Sequence, residues 1–74
     1  MRITYELRTD IVNDEERCSY IVYGIMAKNI RGKTLQSIPD IFFDREKAEE
    51  FVNLCNSEKL ELVHLMDVIE EILV

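Results

Sequence analysis

The apolar residues of this chain change period once, at Asp44, and that change restricts the fold more than any other feature. Beyond Asp44, Ala48, Phe51, Val52 and Cys55 recur at helical spacing, and beyond His64 so do Leu65, Val68, Ile69 and Ile72. Before it, Ile3, Tyr5, Leu7, Thr9 and Ile11 alternate with Thr4, Glu6, Arg8 and Asp10, the pattern of a strand with one wet face. Strands first and helices last place the chain in the α+β class.

The polar cluster Asn13-Asp14-Glu15-Glu16 has no apolar period and carries turn-forming side chains, so it predicts a reversal into a hairpin. Centred there, the turn sets Cys18, Tyr20, Val22, Gly24 and Met26 against Ile11, Thr9, Leu7, Tyr5 and Ile3, with the Tyr5 ring across from Gly24. The second strand is apolar on both faces: Cys18, Tyr20, Val22 and Met26 on one, Ile21, Tyr23, Ile25 and Ala27 on the other. Such a strand belongs in the middle of a sheet. Asn29-Ile30-Arg31-Gly32 is the next turn and Lys33 to Ile38 the third strand, whose register stays open by one residue between Leu35 and Ile38 facing the core. Pro39 ends that strand or lies on a sheet edge, and Ile41-Phe42-Phe43 leads to the Asp44 cap.

The first helix runs to about Asn56-Ser57 and the second starts at Leu65, with His64 and Asp67 placed like a reciprocal cap. The expected architecture is a three-stranded antiparallel meander with two helices packed on one face, β-β-β-α-α, forming one domain over residues 1–74. Its expected core is Ile3, Tyr5, Leu7, Tyr20, Val22, Met26, Phe51, Val52, Cys55, Leu65, Val68, Ile69 and Ile72.

A chain of 74 residues buries only about 60% of the surface its unfolded form exposes, so a single small core is marginal and a second subunit would add to it. Nine basic against fifteen acidic residues leave a net charge of −6, which opposes binding to phosphate backbones and anionic lipid. Met1-Arg2-Ile3-Thr4-Tyr5-Glu6 lacks the apolar core of a secretory signal, and the longest nearly apolar run, Tyr20 to Ala27, is far short of a membrane span. A cytoplasmic location is expected, with Cys18 and Cys55 as two buried free thiols rather than a disulfide.

No polar constellation has the spacing that chemistry requires. His64 with Asp67, Glu70 and Glu71 invites a metal or acid-base reading, yet the residue four after His64 is Val68, not a ligand. A single histidine would have to serve every nucleophile among Cys18, Cys55, Ser37 and Ser57, and Cys55 lies on the apolar stripe. The acidic run Asp40, Asp44, Glu46, Glu49 and Glu50 reads as a solvated face. Gly24 and Gly32 fit no phosphate-binding loop. Neither cofactor nor metal nor catalytic residue is expected.

Two resemblances follow from the motifs. Phe43-Asp44-Arg45-Glu46-Lys47-Ala48-Glu49-Glu50-Phe51 looks like the strand-to-helix junction of the arm-binding module of phage-type integrases, which read DNA with the sheet. Such readers line the sheet with cations, and the outward positions here supply only Arg8, Lys28, Arg31 and Lys33. Over nearly the whole chain, Tyr23-Gly24-Ile25, Ile38-Pro39-Asp40-Ile41, Asp44-Arg45-Glu46-Lys47 and Val63-His64-Leu65-Met66-Asp67-Val68-Ile69-Glu70-Glu71 are similar to a family of short stand-alone domains of unknown function from clostridia-like Gram-positive bacteria. That resemblance implies a cytosolic bacterial protein and carries no activity.

Helices on one face leave Ile21, Tyr23 and Ile25 on the other, beside Thr4, Glu6 and Arg8. The expectation is therefore a non-catalytic interaction module that dimerises or docks a protein through Ile21, Tyr23 and Ile25. A nucleic-acid-binding regulator of the integrase-arm type and a small metal-dependent enzyme around His64 and Asp67 are the alternatives.

Overall fold

A computed structural model describes residues 2–73. Strands β1 (Ile3–Asn13), β2 (Ser19–Asn29) and β3 (Thr34–Phe42) are followed by helix α1 (Arg45–Ser57), a short 3₁₀ turn (Leu62–His64) and helix α2 (Leu65–Leu73). The sheet is an antiparallel meander in the order β1-β2-β3, so the β-β-β-α-α fold is the one the change of period requires.

The first hairpin turns later than the polar cluster implies. Asp14 organises the turn: its Oδ1 accepts from the Glu16 and Cys18 amides at 2.9 Å each, and its own amide donates to the Cys18 carbonyl at 3.0 Å. Arg17 closes the loop in the left-handed region, at φ 62°. Pairing therefore begins at Asn13 with Ser19 and continues through Ile11 with Ile21, Thr9 with Tyr23, Leu7 with Ile25 and Tyr5 with Ala27. Compared with the expected register, β2 has slipped by an odd number of residues, which exchanges its two faces. Ile25 and Ala27 now face the helices, and Tyr20, Val22 and Met26 face away.

The core follows from that exchange. Tyr5, Ile25, Ala27, Ile41, Phe51, Val52, Cys55, Leu65 and Ile69 form one buried cluster, flanked by half-buried Ile3, Leu7, Ile38 and Phe42 from the sheet. Ile25 stands opposite Ile38, which resolves the second hairpin with Ile38 on the helix side. Val22 is buried, but apart from this cluster; Tyr20 and Ile72 are exposed.

β3 does not end at Pro39; it is an edge strand and carries the proline, the other of the two expected placements. Tyr23 pairs with Phe42 and Ile25 with Ile38, so the Pro39-Asp40-Ile41 segment bulges, with Asp40 at φ 58°. The bulge sits on Gly24, where a Cβ would collide with the Ile38 carbonyl oxygen and lie 2.8 Å from Pro39 Cα. Gly24 is thus the point of closest approach between β2 and β3.

Helix α1 starts where the sequence places it: the Asp44 carboxylate accepts from the Glu46 amide at 2.9 Å. It ends in a Schellman motif, with Leu60 N–H donating to the Cys55 carbonyl at 3.0 Å, Lys59 N–H to the Asn56 carbonyl at 3.2 Å, and Lys59 at φ 52°. This ending fixes Asn56 beside β1 and turns Leu60 into the core.

Candidate interaction surface

The helices cover only part of the sheet. On β1 the core cluster and its flanking residues reach from Ile3 to Leu7, whereas the β1–β2 ladder continues to Asn13 and Ser19. Among the described residues, neither Ile11 nor Ile21 in the far half of this ribbon joins the packed cluster. On its helix side Ile11 and Ile21 stand directly opposite one another, 72% and 48% exposed, with Thr9 and half-buried Tyr23 next along. On the reverse side the exposed rings of Tyr20 and Phe43 meet at 6.1 Å between centroids.

The three residues expected to form an outward patch are split by the register. Ile25 is 1% exposed and belongs to the core, so it is not a contact residue for a partner. Ile21 and Tyr23 lie on the helix side, not on the open face; Ile21 is exposed and Tyr23 half-buried. The sequence reading missed Ile11 and Phe43. The signal for Ile11 was present, as the last apolar member of the β1 alternation, but only the structure shows that it stays outside the packed cluster.

The open face carries Val12, Tyr20, Val22 and Met26 beside charges that are matched. Arg8 Nε lies 2.7 Å from Asp10 Oδ2 and donates to it, Arg8 Nη1 donates to Ser37 Oγ at 2.6 Å, and Lys28 Nζ lies 2.6 Å from Glu6 Oε2. The hydrogen bond from Arg8, and secondarily its charge, holds the Asp10 carboxyl below its ordinary range. Two of the four cations available to a nucleic-acid surface are therefore already neutralised by neighbours.

The sheet edges differ. Tyr5 N–H donates to Asn56 Oδ1 at 2.8 Å and Asn56 Nδ2 donates to the Tyr5 carbonyl at 2.9 Å, so one side-chain amide from α1 pairs with the β1 edge as a strand would. Tyr5 also donates its hydroxyl to the Leu60 carbonyl at 2.8 Å. Because antiparallel ladders alternate, the outward-facing backbone of Tyr5 means that the N–H and C=O of Leu7, Thr9 and Ile11 also point away from β2. None of these three is covered by Asn56.

The chemical alternatives find little in the geometry. His64 sits in the 3₁₀ turn with its ring 3.9 Å from Glu61 and 60% exposed, and no hydrogen bond joins it to Asp67 among the described residues. Among the described residues no three of His, Cys, Asp and Glu are grouped to hold a metal. Cys55 is buried and Cys18 is exposed, which corrects the expectation that both are buried; both are free thiols. Burial raises the Cys55 pKa, and burial with the Cys55 charge raises that of Tyr5, so neither is an activated nucleophile. The surface depression lined by Ile3, Gln36, Glu61, Leu62 and Val63 is mainly apolar, whereas the one beside it is lined by Arg2, Thr4, Asn56, Lys59 and Glu61 with Ile3 and Leu60.

A family model matches residues 1–74, the whole length of the chain. The chain belongs to a family of unknown function, DUF6514. No curated protein and no solved structure matches it. Membership of the DUF6514 family leaves the activity to be argued from the surface. Among the described residues no helix is long and apolar enough to cross a membrane.

Proposed function

We propose that this chain is a non-catalytic interaction module of the bacterial cytoplasm, docking a protein through the uncovered half of the β1–β2 ribbon. One observation carries the reading: Ile11 and Ile21 are paired across the two strands and exposed together, outside the packed cluster. A two-stranded ribbon is barely stable in water unless its apolar side is packed, and here that packing stops at Leu7. Exposed apolar residues that adjoin across a ladder form a patch, whereas isolated ones such as Ile30 need no partner. The free thiol of Cys18 accords with a reducing compartment, and the resemblance to clostridia-like domains supports a bacterial origin. The matched charges of the open face favour protein over nucleic acid as the partner.

A photoactivatable side chain placed at position 11, and separately at 21, tests this in the native cell, with position 30 as an exposed control at the opposite end of the ribbon. A discrete protein adduct at 11 and 21 but not at 30 is expected. No adduct, or the same smear at all three positions, would overturn the reading.

A further inference from the structure

We propose that the partner is a second copy of this chain, added edge to edge along Leu7–Ile11 of β1 about a two-fold axis at Thr9. The inference rests on the interaction-module reading and names its partner.

A free strand edge is a template for pairing, and folded chains blunt it. β3 is blunted by Pro39 and the bulge around Asp40. β1 is blunted at Tyr5, where Asn56 occupies the outward N–H and C=O. Between Leu7 and Ile11 no side chain among the described residues bonds the outward groups as Asn56 bonds those of Tyr5.

The residues along that stretch are complementary to themselves. Read in one direction they are Leu7-Arg8-Thr9-Asp10-Ile11. Laid antiparallel on a second copy with Thr9 on Thr9, Leu7 meets the partner's Ile11, and Arg8 meets the partner's Asp10. Because the backbone at 7, 9 and 11 points outward, these positions become the hydrogen-bonded pairs, about six new bonds in all. Positions 8 and 10 become the non-hydrogen-bonded pairs, where side chains come closest and opposite charges are most effective. The Arg8–Asp10 pair at 2.7 Å within one copy shows that the two groups share the open face. On the helix side the same operation sets Leu7, Thr9 and Ile11 of each copy together, with Ile21 and Tyr23 one strand further in. Shifting the second copy by two residues would set Arg8 against Arg8 or Asp10 against Asp10, and shifting it so that Arg8 meets Glu6 would need the Tyr5 edge that Asn56 occupies, so charge and edge together favour the register centred on Thr9.

Charge exchange tests the register. Sedimentation equilibrium over about 10 μM to 1 mM should show the natural chain in monomer–dimer equilibrium. Arg8→Asp and Asp10→Arg alone each create like-charge pairs across the axis and should weaken dimerisation by about tenfold or more. An equimolar mixture of the two single variants, or the double variant Arg8→Asp/Asp10→Arg, restores opposite charges and should dimerise again. A natural chain that stays monomeric throughout, or single variants that dimerise as well as it does, would overturn the proposal.

Arg8 also bonds Ser37, so the folding of each variant is followed by circular dichroism. Amide exchange on the natural chain provides a test without substitution. Protection at Leu7, Thr9 and Ile11 should rise with concentration while that of Glu6, Arg8 and Asp10 is constant, and concentration-independent exchange at the odd positions would refute the edge pairing. An adduct at position 11 with a different protein would overturn the second copy as partner and leave the interaction module standing; absence of any adduct removes both.

Discussion

Removing the Asn56 side chain measures how firmly helix α1 is tied to the sheet. Asn56→Ala deletes the bond from the Tyr5 amide at 2.8 Å and the bond to the Tyr5 carbonyl at 2.9 Å, which link residues 51 positions apart. Each part-buried bond contributes about 0.5–1.5 kcal/mol net, so the pair contributes about 1–3 kcal/mol. Alanine recovers about 0.5 kcal/mol of helix propensity. The expected net loss is about 0.5–2.5 kcal/mol, to be set against a total of about 4–11 kcal/mol for a chain of 74 residues. At about 4–8 °C per kcal/mol, the shift in Tm is readily measured. Asn56→Asp sharpens the test. Its carboxylate still accepts from the Tyr5 amide, but sets its other oxygen against the Tyr5 carbonyl and adds negative charge to a helix C-terminus, worth about 0.3–1 kcal/mol more. Those neighbours raise the folded-state pKa of the introduced group above its unfolded value of about 3.9. Its contribution is then complete below that value and lost as pH rises through the folded one. Urea unfolding followed by circular dichroism should show an Asn56→Asp deficit that shrinks on acidification, beside an Asn56→Ala deficit that stays constant relative to the natural chain. Two variants as stable as the natural chain at neutral pH would show that the amide does not tie the helix to the strand.

Two further outcomes follow from the same structure. Ile25→Ala should cost about 2–5 kcal/mol and Ile21→Ala less than about 1 kcal/mol in denaturant midpoints that do not vary with protein concentration; equal costs would return the strand to the register in which both face outward. Folding raises the pKa of Cys55 from 9.0 and of Tyr5 from 10.0, both chiefly by desolvation, so the unfolded chain ionises first. The stability they confer is whole below those unfolded values and declines as pH rises through the folded ones; a urea midpoint that increases above about pH 9 would contradict this.

The helices were legible because each carries its own reference. A stripe at 3.6-residue spacing is read within one turn, and Asp44 marks where the first begins, so Phe51, Val52, Cys55, Leu65 and Ile69 were placed inward correctly from sequence alone. β2 carries no such reference. With Val22 and Met26 on one face and Ile21 and Ile25 on the other, nothing along the strand distinguishes in from out, and the faces depend on the hairpin turn. That turn is set by Asp14 bonding to two amides and by Arg17 in a left-handed conformation, neither of which composition reveals. The error then propagated into the candidate site, since an odd slip turned Ile25 from patch to core. The bulge had a readable signal in Gly24 inside one strand and Pro39 inside the next. The pairing of Asn56 with Tyr5 had none, because it joins opposite ends of the chain.

The two edges of the sheet show why uncovered strand and exposed side chains coincide. Asn56 reaches β1 only because the Schellman turn ends α1 beside Tyr5, so the helix guards the edge where it also covers the face. The edge protection stops at Tyr5 and the apolar packing at Leu7, so that Ile11 and Ile21 are exposed on the stretch where the backbone groups of Thr9 and Ile11 also point away from β2. A partner that only covered the apolar side would leave the backbone groups to water, and one that only paired the backbone would leave Ile11 and Ile21 wet. A strand bearing alternating apolar residues satisfies both requirements. The self-complementary order of Leu7, Arg8, Thr9, Asp10 and Ile11 makes this chain's own β1 such a strand.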